Sequence, residues 1–458
     1  MNVHDREILR LAIPSIVQNV TVPLLGLADV AIMGHIGQAR HIGAIAVGSM
    51  VFNVMYWLCG FLRMGTSGLT AQAYGQGETL RGGRCTPGGG PAAGPSVLSP
   101  LVMAMSIAMA VGLAVVALQV PLGRLAFWLM RPTADVALLC WPYFSICVWG
   151  APAVLGVYAL NGWFVGMQNT RTPMMVAVVQ NVLNIVVSTS LVFAFGMGVE
   201  GVATGTLVAQ WTGFALSAGG AWHCYRRWNG PGRRPGRSRR QPWRVCLTSL
   251  PWRRFFGLNR DIFLRTLCLV AVNFYFTSAG AAQGAVILAV NTLLMQLFTL
   301  FSYFMDGFAF AGEALAGRYC GAHDEAALRA VVRRLFGWGA AVVVLFTVAY
   351  AAGGTSLLRL LTTDAAVVLA AQPFLAWTLL VPLCGVAAFV WDGVFIGITY
   401  TRGMLQSCLL AAAAFFAIWF ALSTAMGNHA LWLALVAYLA LRGMAQTLMW
   451  MRLRRGRS

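Results

Sequence analysis

The chain contains no lysine and little charge of any kind. Charged residues make up 10% of its 458 residues, and only 13 are acidic, where a soluble domain carries about 25% charged residues. That scarcity excludes a globular enzyme with a solvated surface, and no stretch is long and polar enough to form a separate soluble catalytic domain. Paired cysteines are also missing. The ten cysteines are scattered, many inside apolar runs (Cys59, Cys147, Cys268, Cys384), with no C-x-x-C and no Cys/His cluster at zinc-ligand spacing. They read as small apolar packing residues, not redox centres or metal ligands. The motifs H-E-x-x-H and G-x-S-x-G are absent as well, which argues against a membrane enzyme. No small-residue cleavage site follows the opening MNVHDREILR, so no cleavable signal peptide is expected.

What is present is apolar: 59% of the residues are hydrophobic and the mean hydropathy is +0.73. Runs of about 20 apolar residues, enough to cross about 30 Å of hydrocarbon, recur along the whole chain. Backbone groups in lipid must be satisfied within the segment, so these runs are predicted to be helices. Twelve are expected, near 9–34, 43–74, 97–119, 136–159, 174–195, 202–223, 261–281, 284–312, 333–356, 368–391, 404–424 and 429–450. An even number places both termini on one side. Of the 32 arginines, 25 fall on that side, four on the other and three within spans. Basic loops stay cytoplasmic, so the expectation is a multi-pass protein of the plasma (inner) membrane with both termini cytoplasmic. The formal charge of +19 then reports topology, and no nucleic-acid partner is expected.

The chain repeats itself. NGWFVGMQNTR at 161–171 and DGVFIGITYTR at 392–402 share the pattern [ND]-G-x-F-x-G-x-x-x-T-R at an offset of 231. AVGSM at 46–50 and AVNTL at 289–293 are 243 apart, and QAYGQG at 72–77 and RYCGAH at 318–323 are 246 apart. Parallel repeats of this kind are a transporter architecture, with the substrate path between the halves. The fold class is therefore an all-α polytopic membrane protein with twelve transmembrane helices in two pseudo-symmetric six-helix lobes. The expected domains are an N-lobe over 1–223, a basic cytoplasmic linker over 224–260, and a C-lobe with a basic tail over 261–458. Two stretches, 81–97 and 229–254, are too rich in Gly, Pro and Arg to be helical. They read either as loops or as frame-shifted sequence.

Four acids fall within apolar helices: Asp29, Asp306, Glu313 and Asp392. A charged carboxylate at mid-membrane costs roughly 2.5–3.5 kcal/mol, and burial disfavours the charged form of a carboxyl group. A group that can be neutral when buried and ionised when wet can carry a proton, and Asp29 is the candidate proton carrier. Asn161, Gln180, Asn184, Thr204 and Thr206 could form a polar chamber around it. Each also reads as interhelical packing glue. Pro14 and Pro23 weaken the first helix and would let it bend. Asp306 and Glu313, seven residues apart on one helical face, are candidate cation or substrate ligands, or bond nearby helix termini. Asp392 joins them as a candidate because Asn161 occupies its repeat position. Asp261 and Arg265 are expected to form a structural i,i+4 pair.

Taken together, LAIPSIVQNVTVPLLGLADVAIMGHIG (11–37), NGWFVGMQNTRTP (161–173), QNVLNIV (180–186), LNRDIFLRTL (258–267) and DGFAFAGEALAGRYCG (306–321) resemble the multidrug and toxic compound extrusion (MATE) family, in the branch related to DNA-damage-inducible protein F. The resemblance covers almost the whole chain. It implies a V-shaped two-lobed fold and efflux of organic cations or drugs in exchange for H+ or Na+, with no cofactor. It implies that Asp29 is the family's first-helix coupling acid, Pro14 the proline where that helix bends, and Asn184 a polar residue of the same site. Ser188 stands where many relatives carry a second acid. Asp392 matches an acid used in sodium-coupled relatives, whose seventh-helix partner acid is not evident here. These points favour H+. The alternatives are a Na+-coupled drug antiporter and a flippase for lipid-linked precursors. The expected partners are the bilayer and small amphiphilic or cationic substrates, and the expected state is a monomer.

Overall fold

The computed structural model describes residues 3–34, 39–81, 96–130, 133–228, 251–362 and 364–455, and every regular element among them is helical. The elements are α1 (Val3–Gly34), α2 (Ala39–Leu58), α3 (Phe61–Arg81), α4 (Ser99–Ala117), α5 (Gln119–Met130), α6 (Ala134–Cys147), α7 (Ala151–Gly166), α8 (Arg171–Phe193) and α9 (Gly198–Trp228). After them come α10 (Trp252–Ala282), α11 (Ala285–Gly321), α12 (Glu325–Leu361), α13 (Ala365–Ala371), α14 (Leu375–Gly397), α15 (Thr401–Met426) and α16 (Asn428–Arg455). Most of the two Gly/Pro/Arg-rich stretches, 82–95 and 229–250, lies outside the described residues. The expected linker is shorter than 224–260, because α9 continues to Trp228 and α10 begins at Trp252.

Among the described residues, ten helical stretches are long and apolar enough to cross a membrane. α1 and α9, of 32 and 31 residues, are long enough as well; with them the number is the expected twelve. Three expected spans are not single helices. The second breaks into α2 and α3 at Cys59–Gly60. The fourth breaks into α6 and α7 through a 3-10 turn at Val148–Gly150, just ahead of Pro152. The tenth breaks into α13 and α14 through Gln372–Phe374, where Pro373 has no N–H to donate.

The chain forms two compact units: a first unit of Val17–Asn259, and a second unit of Met1–Ile16 with Arg260–Ser458. This division departs from the expected lobes of 1–223 and 261–458 at the start of each half. The opening of α1 belongs to the second unit because two acids fasten it there. Asp5 accepts from Trp338 Nε1 at 3.2 Å and pairs with Arg334. Glu7 accepts from Arg318 Nη1 at 3.2 Å and from Tyr319 Oη at 2.9 Å. A Cβ at Gly307 of α11 would lie 3.0 Å from the carbonyl oxygen of Ala12, so only glycine admits α1 this closely. The division then falls just beyond Pro14, which has no N–H for the helix ladder. The opening of α10 belongs to the first unit in the same way. Arg254 donates to Gln72 at 3.0 Å, and Asn259 Cγ would lie 2.8 Å from a Cβ at Gly65.

The sequence repeat is also a packing repeat. In the first unit, α7 lies on α3 through Gly162 and Gly166: added Cβ atoms would meet the carbonyl carbon of Arg63 at 3.0 Å and the carbonyl oxygen of Ser67 at 2.8 Å. In the second unit, α14 lies on α11 through Gly393 and Gly397. Added Cβ atoms there would meet Ala309 Cα at 2.8 Å and Glu313 O at 2.6 Å. The glycines are offset by 231 and their partners by 246, the two offsets read from the sequence. Both helices then end alike. Asn169 N–H bonds Phe164 O at 2.9 Å and Tyr400 N–H bonds Phe395 O at 2.8 Å, with Gln168 (φ 60°) and Thr399 (φ 58°) in the left-handed region. This is a Schellman ending built without its usual glycine.

Candidate functional site

The site that best answers the sequence reading lies in the first unit, around Asp29 on α1. The Asp29 side chain is buried, at 3% exposure, and Thr206 Oγ1 of α9 donates to its Oδ2 at 3.5 Å. Asn184 Nδ2 of α8 donates in turn to Thr206 Oγ1 at 2.9 Å, so amide, hydroxyl and carboxylate form a short relay.

The local sequence explains why α8 and α9 can present these groups. Gly205 of α9 faces Ser188, whose backbone nitrogen would be 2.8 Å from a Cβ there, and Gly213 faces Gln180. Eight residues separate both the glycines and their partners, as two antiparallel helices in close contact require. Between these two contacts, Asn184 meets Thr206. Asp29 Oδ1, Asn184 Oδ1 and Ser188 Oγ are all buried, and among the described residues none has a hydrogen-bond partner. Buried polar atoms are normally satisfied. Asp29 Oδ1 is thus a buried acceptor beside the Asn184–Thr206 pair.

The structure does not bring the whole expected chamber together. Gln180 is committed to Ala209 O at 3.3 Å and packs on Gly213. Thr204 bonds back to Glu200 O at 2.8 Å within its own helix. Asn161 on α7 is half-buried, and no hydrogen bond joins it to Asp29 among the described residues. α1 passes through Pro14 and Pro23 without an interruption in its helix. Among the described residues there is no cluster of His, Cys, Asp and Glu suited to a metal ion.

In the second unit the three candidate acids separate. Asp306 is half-buried on α11, and Glu313, fully buried about two turns further on, packs its backbone under Gly397. Asp392 on α14 sits among cations. Arg442 Nη2 of α16 donates to its Oδ2 at 2.6 Å, Arg265 Nη2 of α10 donates to the same oxygen, and Gln446 Nε2 donates to Oδ1 at 2.8 Å. The expected Asp261–Arg265 pair does not form. Arg265 turns inward to Asp392, and Asp261 takes Arg260 at 3.1 Å and Thr401 at 3.1 Å. Sequence reasoning placed Arg265 and Arg442 within spans but did not join them to Asp392. The available signal was charge balance, since acids and arginines buried within spans of one half need each other.

A family model described as MatE matches residues 14–84, 98–190 and 262–422, well over half of the chain. The chain belongs to the MatE family. It is 36% identical to DNA damage-inducible protein F of Escherichia coli (strain K12) over 449 residues, 98% of this chain and 92% of that one. It is 27% identical to Protein DETOXIFICATION 42 of Arabidopsis thaliana over 306 residues, 66% of this chain and 55% of that one. Among solved structures, the bent form of the Vibrio cholerae MATE transporter VcmN superposes with a TM-score of 0.80 at 17% identity, covering 99% of this chain and 97% of that one. An outward-facing multidrug resistance MATE family transporter gives 0.77 at 17% identity, covering 99% and 96%. At that identity these two likenesses concern the fold. This MATE protein is thus a multi-pass efflux transporter and not an enzyme, and the family expected from the sequence is the one found.

Proposed function

We propose that this transporter exports organic cations or amphiphilic toxic compounds in exchange for protons, with Asp29 as the proton carrier. The observation that carries this reading is the uncompensated polarity around Asp29. Among the described residues its hydrogen-bond donor is a hydroxyl, it forms no ion pair, and one carboxylate oxygen has no donor. A buried ionised carboxylate without a cation is costly. Asp29 is therefore stable in the closed site only with a proton or a cation, and must meet water to give it up. Protonation then tracks the conformation of α1, as exchange requires. The cycle runs in the plasma (inner) membrane with both termini cytoplasmic. The two halves alternate access to the two sides, and the protein works as a monomer.

The test is transport in proteoliposomes with an imposed pH gradient, an imposed sodium gradient or neither, using a panel of cationic dyes. Proton-driven dye movement should vanish in Asp29→Asn while the variant stays folded by size exclusion. Full proton-driven transport by Asp29→Asn overturns the reading, as does transport driven by sodium alone.

A further inference from the structure

The cluster around Asp392 is not used by the exchange proposed above. Asp392, Arg265, Arg442 and Gln446 are each at most 6% exposed. Both carboxylate oxygens are taken: Oδ2 by two guanidinium groups and Oδ1 by a carboxamide. The nearby acid Asp261 is engaged elsewhere, by Arg260 and Thr401. Arg442 is also shared with an aromatic residue, its Nη1 3.5 Å from Tyr438 Oη and its guanidinium 5.8 Å from the Tyr438 ring centre.

We infer that Arg265 and Arg442 are built-in cations that fill the carboxylate of α14 and close the second unit to external cations, so that they determine which ion this transporter can use. A sodium ion or an organic ammonium reaching Asp392 must displace at least one guanidinium. That breaks a buried ion pair, which is strongly unfavourable. An arginine cannot relieve this by losing its proton. The same three contacts tie α10, α14 and α16 to one atom group. This inference rests on the partners of Asp392 alone and stands whether or not Asp29 carries the proton.

The experiment is thermal unfolding of the full-length protein in sodium chloride against choline chloride at equal ionic strength. The wild-type midpoint should not respond to sodium. Arg265→Gln/Arg442→Gln removes both built-in charges and surrounds Asp392 with carboxamides, whose oxygens suit a hard cation. This variant should gain a sodium-dependent upward shift; sodium at about ten times its dissociation constant raises the folded-to-unfolded ratio about elevenfold. Adding Asp392→Asn should abolish the gain. Arg265→Lys/Arg442→Lys keeps the charges and should remain insensitive to sodium, which a purely packing role for arginine does not require. A folded double-glutamine variant that ignores sodium overturns the inference. So does a wild-type sodium shift that Asp392→Asn removes. If the double-glutamine variant does not fold, the wild-type and Asp392→Asn titrations still decide, together with wild-type sodium-gradient transport. Sodium-driven transport lost on Asp392→Asn refutes the inference, and the absence of any sodium response in wild type supports it.

Discussion

Asp29 and Asp392 are both carboxylates buried inside apolar helices, one in each unit, and they have opposite surroundings. Asp29 meets a hydroxyl and, among the described residues, keeps one oxygen without a partner. Asp392 meets two guanidinium groups and a carboxamide and keeps none. A carboxylate without a cation is poised to exchange something with solvent, whereas one held by two arginines already has its counter-charges. The contrast is sharper because the two units repeat each other in packing, down to matching glycine contacts and matching left-handed turns at Gln168 and Thr399. A duplicated scaffold has kept its geometry and divided its chemistry.

Substitutions at the two acids should therefore have opposite signatures, and this pair carries the largest expected effects. Asp29→Asn should abolish proton-driven transport, read in proteoliposomes, with little loss of stability, since it removes a buried charge that has no cation. Asp392→Asn should instead lower stability by about 3–5 kcal/mol, the usual cost of stripping one partner from a buried ion pair, read as a fall in the thermal midpoint. Equal behaviour of the two variants in both assays would break the comparison.

The packing repeat can be sharpened next. Gly162→Ala and Gly393→Ala each force a methyl group onto the backbone of the facing helix and should each cost about 1–3 kcal/mol, by thermal unfolding. A large effect in one unit and none in the other would mean the repeat is not matched in energy. A smaller effect is expected at the relay: Thr206→Val removes the donor to Asp29 Oδ2 and should weaken coupling by about 1 kcal/mol, seen as a several-fold slower proton-driven rate. The smallest belongs to the opening of α1. Glu7→Gln exchanges a partly exposed ion pair with Arg318 for a neutral contact and should cost about 1 kcal/mol or less, reduced further at high salt.

The transmembrane character of the chain, the repeat and the unusual placement of Asp29 were legible because each rests on local chemistry. Apolar runs, an offset of 231 residues and an acid among aliphatic neighbours are visible residue by residue. The breaks at Cys59–Gly60 and Val148–Gly150 were less visible, since glycine and proline are tolerated within membrane helices and do not announce which of them interrupts one. Thr206 and Asn184 were within reach because they lie on adjacent spans near the same depth as Asp29. Thr204 was misread because two residues along a helix turn a side chain to a different face, and the face in use depends on how α9 rotates against α8.

Sequence alone determined that this protein lies in a membrane, that its two halves share one plan and that one acid of the first helix needs an explanation. Hydropathy and residue identity are properties of the chain itself, so folding cannot change them. Only the tertiary structure decided that Arg265 abandons Asp261, four residues away, for Asp392, 127 residues away, and that the opening turns of α1 belong with the second unit. An ionised group buried in a medium of low dielectric seeks the counter-charge that loses the least hydration, and distance along the chain does not enter that choice.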